Sequence, residues 1–176
     1  MILRGLPLVL AIAGCATSYS AGSNLAAQSR HPGLSCSPFA RELTGMRLSG
    51  DGADWWAASS GRYAHASRPE VGSVLVFRRT SRLRSGHVSV VSRVLDDRRI
   101  DVIQANWVPG ELDLDQLVVD VSEANDWTAV RVWYPPTRRM GVHVYPTYGF
   151  ILPPAPTSHD NLARSAEPAA LRAVGG

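Results

Sequence analysis

Apolar residues change their spacing along this chain, and the changes mark out its elements. Phe39 and Leu43 lie four apart, Pro38 suits a first helical turn, and Thr44-Gly45 supplies a stop. That pattern predicts a helix from Cys36 to about Thr44. Ala53 to Ala58, ended by Ser59-Ser60-Gly61, predicts a second short helix. From Ser73 the pattern becomes that of strands. Ser73–Arg78, Gly86–Leu95 and Ile100–Trp107 are short, β-branched and separated by polar turns. Gln116–Val121 reads as a short strand, Trp127–Tyr134 as a stronger one, and Val142–Tyr145 and Tyr148–Leu152 as edge pieces. Helices followed by antiparallel strands predict an α+β fold, with N-terminal helices packed on a small curled sheet or partial barrel.

The ends read differently. Arg4 followed by Leu6–Ala13 forms a positive n-region and an apolar stretch of about eight residues, the pattern of an export signal and too short to span a bilayer. Ile12-Ala13-Gly14-Cys15 resembles a bacterial lipobox, which implies a signal over 1–14 and lipid on Cys15; the competing reading is plain cleavage near Ala26-Ala27. Residues 15–34 are rich in Ser, Ala, Gly and Asn and read as a flexible tether. The main domain is expected over 35–152, with 153–176 as a disordered tail. The location expected is the cell envelope, anchored to a membrane, or alternatively secreted.

Composition adds limits. All 18 basic residues are Arg, the net charge is only +3, and the Arg pairs are interspersed with acids, so nucleic acid is not an expected partner. The remaining histidines lack metal-ligand spacing, and no metal or cofactor is expected. Of the two cysteines, Cys15 is lipidated or removed under either export reading. Cys36 is left as a lone thiol at a helix start, where unpaired N–H groups and the helix dipole favour the thiolate.

Strand alternation offers Cys36 a partner. A two-residue turn pairing Leu95 with Arg98 places Asn106 opposite His87; a turn centred on Asp97-Arg98 places Ser89 opposite Asn106 instead. In both registers His87, Gln104 and Asn106 share one face.

Taken together, Ser35-Cys36-Ser37-Pro38-Phe39, Gly52-Ala53-Asp54-Trp55-Trp56, Pro69-Glu70-Val71-Gly72, Gly86-His87-Val88 and Gln104-Ala105-Asn106-Trp107 resemble the CHAP domain family, the cysteine, histidine-dependent amidohydrolases/peptidases. The resemblance implies a papain-like fold, Cys36 as nucleophile, His87 as general base, and peptidoglycan peptides as substrate. The bond expected is a peptide bond or the amide between glycan and peptide. Position 104 is Gln where many members carry Glu. An amide orients an imidazole but lacks the charge that stabilises imidazolium. Asn106 is the expected orienting residue, Gln104 the alternative, and Trp107 with Trp56 the expected walls of the groove. Competing readings are a binding-only domain, motivated by Gln104, an NlpC/P60-type endopeptidase, and a structural lipoprotein with Cys36 merely buried.

Overall fold

The computed structural model describes residues 28–175. Its elements in chain order are β1 (Gln28–Arg30), α1 (Cys36–Thr44), α2 (Asp54–Ala58), β2 (His65–Ala66), β3 (Val74–Phe77), β4 (His87–Val94), β5 (Arg99–Ala105), β6 (Glu111–Asp120), β7 (Ala129–Tyr134), β8 (Arg139–Met140), β9 (Tyr145–Ile151) and α3 (His159–Gly175). A short 3₁₀ turn, Pro135–Thr137, joins β7 to β8. The mixed helix and sheet content matches the α+β expectation, and the curled sheet is a closed barrel. Antiparallel pairings run β3–β4–β5–β6–β7–β9 and return from β9 to β3, making six strands with no gap.

Closure explains why these strands read as apolar runs rather than alternating ones. β3, β4 and β5 are buried along almost their whole length and so are covered on both faces. Leu75, Phe77, Val91, Val102, Val118, Val130 and Phe150 fill the barrel. The alternate residues Val74, Val76, Val88, Val90, Ile103 and Ala105 face outward onto Phe39, Ala40, Met46, Trp55 and the helix α3. Of the two adjacent tryptophans, Trp55 is the buried one.

Two expectations about the ends are overturned. The tail over 153–176 contains α3, which buries Leu162, Ala166, Ala169 and Ala170 against the same cluster as α1. The spacing of those residues is helical, but alanine carries little apolar signal, and Pro168 lies inside the helix. The tether over 15–34 is ordered from Gln28: β1 pairs with β6, and His31 and Leu34 are buried. Three polar residues have no readable period; their strand exists because β6 offers an edge. The proposed signal over 1–14 and Cys15 lie outside the described residues. Among the described residues, no helix is long and apolar enough to cross a membrane.

Candidate active site

Cys36 is the first residue of α1. Ser35 ahead of it is extended, and Gly45 ends the helix in the left-handed region with its N–H on the Arg41 carbonyl at 2.9 Å. The thiol therefore stands at the positive end of a nine-residue helix whose other face is anchored by buried Phe39 and Ala40. His87 is the first residue of β4 and is buried. Two glycines allow it to sit there. A β-carbon on Gly52 would come within 2.8 Å of the His87 backbone. Gly86 has φ +67 and would press a β-carbon to 2.5 Å from that of Ala53.

His87, 51 residues away in sequence, stands close enough to act on the Cys36 thiol. Burial pushes the Cys36 thiol up, but the charge on His87, a hydrogen bond from His87, the Val88 N–H and the Ser37 hydroxyl outweigh it and lower the thiol from 9.0 to about 7. Cys36, His87 and Asn106 line one open cleft of about 500 Å³.

The ring is oriented by Gln104, not by Asn106 as expected. His87 Nε2 lies 2.9 Å from Gln104 Oε1, and the Ser89 hydroxyl donates to the same oxygen. Gln104 Nε2 donates to Gln116 Oε1, and Gln116 Nε2 donates to the Trp133 carbonyl at 3.1 Å. A backbone carbonyl only accepts, so each amide in this chain has one possible direction. Gln104 must present its oxygen to the ring, which puts the proton on Nε2 and leaves Nδ1 as the free acceptor in the neutral ring.

Asn106 serves the next turn instead. It has φ 65, a region that asparagine tolerates better than most residues. Its Oδ1 accepts the Gly110 N–H at 2.9 Å, and its own N–H reaches the Glu111 carbonyl at 2.7 Å. The expected strand registry is nearly right. The turn after β4 is one residue longer than expected, with Leu95 donating to Arg99 at 2.9 Å. A bulge between Val91 and Arg93 then takes the extra residue back, so that Val91 pairs with Val102 and Val90 with Ile103. One step further along, Ser89 faces Gln104. Asn106 escapes the pairing because β5 ends at Ala105.

Trp107 packs edge-on against His87, with ring centroids 5.1 Å apart, and against Tyr145 at 5.1 Å. Trp56 stands elsewhere, stacked on His65 at 3.9 Å and Tyr148 at 5.7 Å, and neither tryptophan is among the residues lining the cleft. The sequence reading missed Ser89 and Gln116. For Ser89 the available signal was its place two residues from His87 in an apolar strand. Among the described residues, no cluster of three or more His, Cys, Asp or Glu side chains converges as metal ligands would.

Among curated proteins, none matches the chain. Residues 26–106 match the family model of the CHAP domain, a stretch that begins just before β1 and ends at the turn after β5. Cys36, His87 and Gln104 all lie inside it, while Gln116 and Trp133, which set the direction of the amide chain, lie beyond it. That match and the sequence motifs around Cys36 and His87 agree: residues 26–106 of this protein carry a CHAP domain match.

Proposed function

We propose that this protein hydrolyses an amide bond of peptidoglycan, a peptide bond or the glycan–peptide amide, through a thioester on Cys36. CHAP domains are in general amidohydrolases and peptidases of the bacterial wall. The observation that carries the reading is the buried His87 paired with a Cys36 thiol held at about 7, at the floor of an open cleft.

In the first step the Cys36 thiolate attacks the amide carbonyl carbon, and the carbonyl oxygen takes up the negative charge. The Cys36 N–H, free at the first helical position, faces that charge. Collapse of the tetrahedral species breaks the C–N bond, and His87 passes the former thiol proton to the leaving amine. Water then attacks the thioester while Nδ1 of His87 takes its proton. The acid leaves, and the proton returns to the Cys36–His87 pair. Throughout, the Gln104 amide holds the ring in one orientation.

Incubating soluble muropeptides with wild type and with Cys36→Ala, followed by mass spectrometry, tests this. New fragments with wild type alone are expected, and their masses name the bond. Identical spectra would exclude hydrolysis. The lipobox-like Ile12–Cys15 supports a further reading, that the protein is a lipid-anchored envelope protein. Cys15→Ser is expected to move it from the membrane to the soluble fraction; a wild type that is soluble already rules out the anchor.

A further inference from the structure

A cavity larger than the cleft at Cys36 lies apart from that residue. It holds about 660 Å³ and is walled by Trp107, Tyr134, His143 and Tyr145, with Arg82 and Arg139 at its polar positions. Arg82 also lines the cleft that holds Cys36 and His87, so its side chain borders both spaces. Trp107, a wall of the cavity, packs on His87.

The charge in this cavity is one-sided. Among the described residues, no Asp or Glu lines it, and no salt bridge engages Arg82 or Arg139. Two other arginines of the same loop, Arg78 and Arg79, are occupied. Arg79 is held by Asp54 at 2.9 Å, and Arg78 lies over the Tyr148 ring while donating to the Thr147 carbonyl. The loop that presents Arg82 is itself tied down. Thr80 N–H bonds the Leu83 carbonyl at 3.0 Å, the Thr80 hydroxyl accepts from the Leu83 N–H at 3.0 Å, and Leu83 packs onto the barrel core.

We propose that this cavity is a substrate subsite for a carboxylate-bearing segment of the wall peptide, its carboxylate held by Arg82 and Arg139 and its aliphatic part lying on Trp107 and Tyr145. Arginine forks match carboxylates in two-point geometry, and aromatic walls with a few convergent charges are the usual make-up of a ligand pocket. The inference rests on the hydrolase reading for the identity of the peptide, but not for the binding itself.

Binding is therefore measured on Cys36→Ala protein by titration calorimetry. The probes are soluble muropeptides with free carboxylates and the same muropeptides with those carboxylates capped as methylamides. The free form is expected to bind at least about tenfold more tightly, an effect within the range of a charge-assisted pair. Adding Arg82→Gln or Arg139→Gln is expected to bring the two affinities together, while Arg82→Lys keeps part of the difference. Equal affinities in the Cys36→Ala protein, or a preference unchanged by both Gln substitutions, would overturn the subsite. Cleavage by the wild type is scored separately. Selective binding without any product would remove the thioester mechanism and leave the subsite standing. Equal cleavage of free and capped peptides would do the reverse.

Discussion

Gln104 is a neutral residue in the place where many relatives carry an anion, and its surroundings define what it can do. It is fully buried, and all its polar atoms are engaged by His87, Ser89 and Gln116. Direction, rather than charge, is what it supplies. Gln104→Ala should therefore cut turnover by about tenfold or more, since the ring loses its fixed tautomer. Asn106→Ala, which loosens only the following turn, should cut it less. The order of the two effects in a steady-state assay decides between them, and the reverse order would restore the expectation drawn from strand pairing alone. The thiol itself has a pH signature. Alkylation of Cys36 by iodoacetamide should rise with a midpoint near 7. His87→Ala removes lowering influences but leaves the burial, so its midpoint should move upward. A midpoint that stays near 7 in that variant would mean the imidazole does not act on the sulfur.

At the scale of elements, α1 depends on α3. The two helices share one apolar cluster, and Arg172 donates to Glu42 across them at 2.8 Å. Leu162→Ala should cost about 2–3 kcal/mol, which in a protein of this size lowers the melting temperature by about 5–10 °C. A change of less than a degree, read by calorimetry, would mean that α3 is not docked in solution. This helix also marks the limit of what the chain discloses by pattern. The Cys36–Thr44 helix was legible because Phe39, Leu43 and a glycine stop agree with one another. The strands β3, β4, β5 and β7 were legible from β-branched runs. The face of α3 is mostly alanine, which packs without advertising itself. In β6, Asp113 and Gln116 point to buried positions, so its first half does not resemble a strand at all. At the site, Cys36 and His87 were legible from motif and periodicity. The third partner was not, because the end of β5 and the left-handed turn at Asn106 are set by the Gly110 and Glu111 contacts beyond it.

Across the whole molecule, two buried carboxylates, Asp101 and Asp113, are pushed up to about 6, in both cases chiefly by burial. The sign of their effect follows from linkage. Each binds its proton more tightly in the folded protein than in the unfolded chain, so each contributes stability at low pH that is lost as pH rises from about 4 through 6. One oxygen of Asp113 accepts from Gln28 at 2.9 Å, and the other has no partner. Asp113→Asn keeps the first contact and cannot ionise. It should be more stable than wild type by about 1–2 kcal/mol above pH 6, with the gain fading toward pH 4. Urea midpoints at the two ends of that range test this, and a difference independent of pH would show that ionisation at position 113 is not involved.

Barrel closure has a bearing on how a peptide is read. A sheet with a long open edge can take an extended peptide as one more strand, gripping its backbone and largely ignoring its side groups. Here the long strands are already paired on both sides, and the pieces left at the margins, β1, β2 and β8, are two or three residues long. Among the described residues, no long strand edge is thus left for a peptide to extend. Under the hydrolase proposed above, selection falls to side chains set on loops, where a carboxylate, an amide or a change of handedness in the peptide is felt directly.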